Sequence, residues 1–308
     1  MLTYLIILLD DTSVSYCHYD VKRQERKLIS LDDLKAGVLF AMKENLNIQF
    51  VYPNYVLPEE YKDVIESIDH TKIGPISCGE DLDLIVVDSF DFVPYNEKTY
   101  LWRGNLDELI SEQEKIANIL LKVSRLNVVL TDILKWKEKE FVSYKGFLDY
   151  MALQIAEYYH MGNSVQLNIL TDRLTIDKMN NCSAGDKSIT LAPDGNFYIC
   201  PAFYPDKNVG SLKNGLVIPN KHLYRLDHAP ICRKCDAYQC RRCIWMNLRS
   251  TLDCNTPSHE QCVVSHLERK ATCLLLRLAG EKGVTIENAY GIEEIDYLDP
   301  FNILNKWN

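Results

Sequence analysis

Short apolar runs alternate with amphipathic stretches through the first 170 or so residues of the chain. Tyr4 to Leu9 reads as a buried strand. Ser30 is placed to cap a helix from Leu31 to about Asn45, with Leu34, Val38, Leu39 and Met42 on its apolar face. Ile48 to Tyr52 predicts a second strand, stopped by Pro53. Pro58 then opens a helix to about Ile68, with Glu59 and Glu60 favourably near its N-terminus. Leu84 to Val87, Asn127 to Thr131 and Val165 to Leu170 read as further strands. Leu106 to about Val123 and Phe141 to His160 read as helices. Strands alternating with helices predict an α/β fold with a parallel sheet. Five or six such units are too few to close an eight-stranded barrel, so a partial (β/α) barrel is expected.

The texture changes at Cys182. Ile189 to Ala192 and Asn196 to Ile199, joined by Pro193-Asp194-Gly195, predict a β-hairpin. Cysteines, prolines and short polar stretches follow to Cys262, then a helical stretch from about Glu260 to Ala279. The expected division is a partial barrel over residues 1–175, a small cysteine-rich domain over 176–283 and an acidic, aromatic tail over 284–308.

The chain has 308 residues, a net charge of −9 and 25% charged residues. An acidic surface argues against non-specific binding to nucleic acid or to an anionic membrane. No apolar run approaches the roughly 20 residues of a membrane span. The N-terminal run lacks a preceding cation and a small-residue cleavage site, so a cytoplasmic location is expected. Structural disulfides are rare in that compartment, and closely spaced cysteines there more often bind metal. That turns eleven cysteines into the main chemical signal.

Seven of them form a constellation. Cys182 is followed by twelve residues, Gly195, four residues and Cys200; then come Cys232-x2-Cys235-x4-Cys240-x2-Cys243 and, after a second gap, Cys262. Short loops let neighbouring thiolates wrap one side of a [4Fe–4S] cluster while a distant cysteine closes the other. Seven ligands exceed the need of one centre, which suggests one or two clusters. Zinc is the competing reading, because Cys232/Cys235 and Cys240/Cys243 are two x2 pairs. Against it stand the short spacer between the pairs and the three cysteines it leaves unexplained. Arg233-Lys234 and Arg241-Arg242 lie among these cysteines and read as neighbours of the metal centre. His259 and His266 lie near Cys262 and read as packing residues before ligands.

This arrangement resembles the SPASM domain, the auxiliary-cluster module of many radical SAM peptide-modifying enzymes, over about residues 182–262. The resemblance implies that Cys182, Cys200 and Cys243 belong to a first cluster, and Cys232, Cys235, Cys240 and Cys262 to a second. The central spacers are shorter than usual in two places, and no cysteine stands just upstream of Cys182. Cys254 is a substitute candidate for the missing ligand of the first cluster.

In radical SAM enzymes the loop after the first strand carries three cysteines, spaced by three and two residues, that hold the SAM-binding cluster. The equivalent loop here, about Asp10 to Ile29, has Cys17 alone, beside His18 and Asp20. One thiolate does not hold such a cluster, so no SAM is expected and the barrel reads as a degenerate one. Longer strings are similar to the CXXX repeat peptide maturases. They are Leu9-Asp-Asp-Thr-Ser13 with Cys17-His-Tyr19, Leu34 through Asn45 continuing in Gln49-Phe-Val-Tyr-Pro53, and Asn255 through His266. That resemblance implies maturation of a ribosomally made peptide with cysteine at every fourth residue. The alternatives are a non-catalytic partner of a separate, intact radical SAM enzyme, and a zinc-stabilised adaptor.

Overall fold

The computed structural model describes residues 2–20, 25–179, 182–286, 289 and 291–292. In chain order its first half runs β1 (Tyr4–Leu8), α1 (Leu31–Glu44), β2 (Asn47–Val51), α2 (Glu59–Ile65), β3 (His70–Pro75), β4 (Leu84–Val87) and β5 (Thr99–Gly104). Next come α3 (Leu106–Ser111), α4 (Gln113–Leu120), β6 (Arg125–Leu130), α5 (Glu138–His160) and α6 (Asn168–Thr175). The remainder is β7 (Ser188–Leu191), β8 (Asn196–Tyr198), β9 (Asn208–Ser211), β10 (Gly215–Leu216), α7 (Ile244–Ser250) and α8 (His259–Glu281). Most of the expected tail over 284–308 lies outside the described residues. The fold is α/β with a mainly parallel sheet, as the alternation predicted.

The chain forms two compact units. One comprises residues 1–87 with 183–228, the other residues 88–182 with the chain from Ala229 onward.

The first unit is a sheet in the order β10-β9-β8-β7-β1-β2-β3-β4. Strands β7, β1, β2, β3 and β4 are parallel, while β8, β9 and β10 run antiparallel. The expected hairpin forms, with Thr190 opposite Tyr198, and extends the sheet beside β1. Gly195 takes φ +74° at its turn, a conformation that favours glycine. Alternation along β1 divides its side chains. Ile7 faces α1, where a Cβ on Gly37 would lie 3.5 Å from it and 2.5 Å from Leu191. Ile6 and Leu8 face the other way and pack with Val51, Ala192 and Tyr198. Helix α1 begins where expected, Ser30 accepting a hydrogen bond from the Asp33 amide at 3.1 Å. Leu39 and Met42, placed on its apolar face by the pattern, are exposed; the buried face is Leu34, Gly37, Val38 and Ala41.

The second unit is built on the long helices α5 and α8, packed against each other, with α6 against α8 and the parallel pair β5–β6 beside α6. Of the strand expected over Val165–Leu170 only a single parallel bridge forms, Leu167 beside Leu126, and α6 starts at Asn168. The reason is the amide of Asn168. Its Oδ1 accepts from the Val128 N–H at 2.8 Å and its Nδ2 donates to the Val128 carbonyl at 3.0 Å, so that at Val128 a side-chain amide takes the place of further strand pairing beyond the bridge at Leu126. The helix expected from Leu106 breaks at Glu112, which takes φ −102° between α3 and α4. Strands β3 and β5 were not anticipated: His70–Pro75 carries His, Lys, Gly and Pro, which mask a strand pattern.

Candidate metal centre

Cysteines 232, 235, 240 and 262 line one cavity of the second unit, together with Met179, Ile231, Arg242, Pro257, Gln261, Ser265 and His266. Three short devices bring them there. Cys232 and Cys235 flank a single 3-10 turn, the Cys235 amide donating to the Cys232 carbonyl at 3.1 Å. Two residues on, the Ala237 amide donates to the Cys235 sulfur at 3.4 Å, and the Cys240 amide donates to the Ala237 carbonyl at 3.0 Å. The fourth thiol comes from the first turn of α8, where Ser258 caps the helix by accepting from the Gln261 amide at 3.1 Å. Gln261, Cys262, Ser265 and His266 then follow at helical spacing on one face.

The knot is anchored from behind by buried polar groups. Arg173 on α6 donates through Nε to the Asp236 carbonyl at 2.8 Å, and its guanidinium lies 4.2 Å from the Tyr238 ring centre. Arg269 on α8 pairs with the Asp236 carboxylate at 2.5 Å. Gln239 donates to the Ser265 carbonyl at 2.6 Å and to Glu268 at 3.3 Å.

Burial, above all, pushes the Cys232 thiol up to about 12 and Cys235 up to about 11, and raises Cys240 as well. A buried thiolate is costly without a positive partner, and a metal that replaces the thiol protons supplies one. Among the described residues no group of three or more His, Cys, Asp or Glu side chains is set closely enough to hold a single metal ion. Tetrahedral zinc needs its sulfurs within about 3.8 Å of one another; a four-iron cluster seats its thiolates more widely around a larger body. Four thiols lining one cavity offer the soft donors that a zinc ion or an iron–sulfur cluster takes.

His266 is 5% exposed and brings Nε2 to 3.5 Å from the Cys235 sulfur. It lines the thiol cavity as well as packing on α8. The signal was present as the four-residue step from Cys262 to His266 on a helix. His259 packs its ring near Phe141, with centroids 6.3 Å apart, and does not line the cavity.

The remaining cysteines are distributed as follows. Cys182 and Cys243 are electrostatic neighbours in the second unit; burial first, and Cys182 second, push Cys243 up to about 12. Cys182 donates its amide to the Arg241 carbonyl at 3.1 Å. Cys200, the third member of that expected set, belongs to the first unit. The Cys254 carbonyl accepts from Asn247 Nδ2 at 2.9 Å, and its side chain does not line the cavity. Cys78 is buried in the first unit, Cys17 is exposed in the segment after β1, and Cys273 is half-buried on α8.

That segment folds back on the sheet. The Ser13 hydroxyl donates to the Val51 carbonyl at 2.8 Å and the Val14 amide donates to the Tyr52 carbonyl at 3.0 Å. Val14 and Tyr16, with Phe203 and Tyr204, then pack over Ile6, Leu8, Val51, Ala192 and Tyr198. The face of β1 opposite α1 is thus covered by the chain itself. Among the described residues no helix is long and apolar enough to cross a membrane.

No family model matches the sequence, and no curated protein matches it. Solved structures do. Histidine-tagged anSMEcpe with bound AdoMet superposes with a TM-score of 0.56 at 13% identity, over 93% of this chain and 97% of that one. Native anSMEcpe with bound AdoMet and the Kp18Cys peptide gives 0.57 at 13% identity, over 91% and 99%. Streptococcus suis SuiB bound to its precursor peptide SuiA gives 0.43 at 11% identity, over 72% and 64%. Along nearly its whole length, this chain has the fold of anSMEcpe.

Proposed function

We propose that the protein takes part in maturing a cysteine-repeat peptide and carries a [4Fe–4S] cluster on Cys232, Cys235, Cys240 and Cys262. One observation carries the reading: four thiols, drawn from the Cys232–Cys243 stretch and the first turn of α8, line a single cavity. The cluster supplies a redox centre and an electrophilic iron for sulfur ligands. The chain's own residues bind it, exclude water from it and surround it with hydrogen-bond donors from Gln261, Ser265 and His266.

The peptide substrate is supported by the fold, since anSMEcpe of the same fold was crystallised with a peptide, and by the resemblance to CXXX repeat maturases. The thiols of such a peptide match the ligand preference of iron. Of the first cluster implied by the resemblance, Cys182 and Cys243, neighbours in the second unit, remain part of the proposal, with Cys254 as its substitute ligand.

A non-catalytic role beside an intact radical SAM enzyme has its own support. The segment after β1 bears a single cysteine, and Val14 and Tyr16 cover the apolar face of the sheet. SAM cleavage is therefore assigned to a separate enzyme, and this chain to holding the peptide and its cluster.

Anaerobic reconstitution followed by Mössbauer spectroscopy tests the cluster. Wild type is expected to hold iron and sulfide in equal amounts. A colourless, zinc-loaded protein would mean an adaptor. The division of labour is tested with dithionite and SAM: this chain alone is expected to release no 5′-deoxyadenosine, and peptide modification is expected only with a second enzyme added.

A further inference from the structure

Two histidines outside the thiol cavity stand together in the first unit. His222 lies in the 3-10 turn Lys221–Tyr224 and His228 ends the turn Leu226–His228; both residues are exposed. Their ring centroids are 5.2 Å apart and their planes are inclined at 64°. One residue holds the two turns in place. The Arg225 amide donates to the His222 carbonyl at 3.1 Å, and the Arg225 carbonyl accepts from the His228 amide at 3.3 Å. The Arg225 guanidinium is turned onto Asp227, donating through Nε to Oδ1 at 3.1 Å and through Nη2 to Oδ2 at 2.8 Å. Its charge is thereby balanced beside the imidazoles. Asn220, at φ +49°, leads into the first turn, and its carbonyl accepts from the Leu223 amide at 2.8 Å.

We infer that His222 and His228 form a binding site for one exchangeable Zn²⁺ ion, separate from the cysteine constellation. Neutral imidazole is a preferred ligand of this ion. A metal binds an imidazole in the plane of its ring, and two inclined planes share a line on which one ion satisfies both rings. The spacing selects the geometry. With Zn–N bonds of about 2.0–2.1 Å, a tetrahedral ion sets the two ring centroids about 5.2 Å apart, whereas bonds at a right angle set them about 4.5 Å apart. The observed separation of 5.2 Å is the tetrahedral one. Among the described residues no third His, Cys, Asp or Glu joins the pair to make a group of three. Two positions of the ion are therefore open to water or to a donor from a ligand, which makes it exchangeable, unlike the ion of a closed structural site. The inference does not depend on what the thiol cavity holds.

The test uses the full chain with its metal-binding thiols already filled, by cluster or by zinc, so that added Zn²⁺ reports on sites outside them. Zn²⁺ is titrated by calorimetry into wild type, His222→Gln, His228→Gln and, as a control, His160→Gln, whose exposed histidine ends α5 in the other unit. Wild type is expected to take up one further ion per chain. Each variant of the pair should weaken that uptake about tenfold or more, since each removes one of the two protein ligands. His160→Gln should leave it unchanged. His222→Asn and His228→Asn stand in for either glutamine variant if its circular dichroism departs from wild type. No further ion on wild type overturns the inference. So does a loss smaller than that in either variant of the pair, or an equal loss in His160→Gln; both mean an adventitious ion only. None of these outcomes alters the reading of the thiol cavity, which the Mössbauer measurement decides separately.

Discussion

Tyr144 on α5 donates its hydroxyl proton to Glu268 on α8 at 2.9 Å, inside the second unit. Gln239, next to Cys240 in sequence, donates to the other carboxylate oxygen at 3.3 Å. Helix packing and the cysteine knot therefore share one buried acid.

Burial, outweighing these two hydrogen bonds, raises Glu268 from 4.5 to about 7. The sign follows from the acid being harder to ionise folded than unfolded. Below about pH 4.5 both states are protonated and the group is neutral to stability; as pH climbs from 4.5 to about 7 the folded state loses ground, by about 3 kcal/mol at most. Glu268→Gln should remove that slope. Thermal melts of apo wild type and variant from about pH 4.5 to 8 should diverge, the variant becoming the more stable; parallel curves would rule out a perturbed Glu268.

Cys235→Ala and Cys240→Ala should each cost the reconstituted protein about four iron and four sulfide per chain. Cys78→Ala, a buried thiol of the other unit, should leave the iron content unchanged. Colorimetric iron and acid-labile sulfide assays decide it, and iron retained in Cys235→Ala would contradict the assignment.

The Arg269–Asp236 pair is buried on both sides, at 1% and 8% side-chain exposure. Asp236→Asn leaves the guanidinium without its carboxylate and should cost roughly 3–5 kcal/mol. The double change Asp236→Leu with Arg269→Met should recover much of that loss. Urea unfolding of the apo proteins measures both, and additive losses would show that the two residues are not energetically paired.

A Cβ on Gly104 would come within 2.2 Å of the Trp102 ring, which is 1% exposed and stacked on Phe90 at 5.1 Å. A fixed aromatic has little room to move. Gly104→Ala should destabilise the protein by about 1–3 kcal/mol, read from the denaturation midpoint; an unchanged midpoint would mean the ring can shift.

Much of the thiol lining of the cavity was legible in order and spacing. Pairs such as Cys232/Cys235 need only a short turn to present both thiols to one side, so local chain geometry gathers them. The long helix carrying Cys262 declared itself through Ser258 and the apolar period beyond it. The place of His266 beside the thiols was not legible, because a histidine on an apolar helix face reads as packing whatever it faces. Its 3.5 Å approach to Cys235 joins residues 31 apart in sequence, which periodicity does not reveal.

What the sequence by itself determined was the alternation of strands and helices, the hairpin turn at Gly195 and the thiols gathered around Cys232–Cys243. Each of these is decided by neighbours a few residues away, through hydrogen bonds, turn geometry and loop length. Tertiary structure alone decided that the Asn168 amide takes the place of further strand pairing at Val128, that Val14 and Tyr16 cover the sheet, and that Arg242 is buried beside four thiols. Those outcomes depend on which distant groups compete for the same hydrogen bonds and the same dry space, and that competition is settled only when the chain is packed.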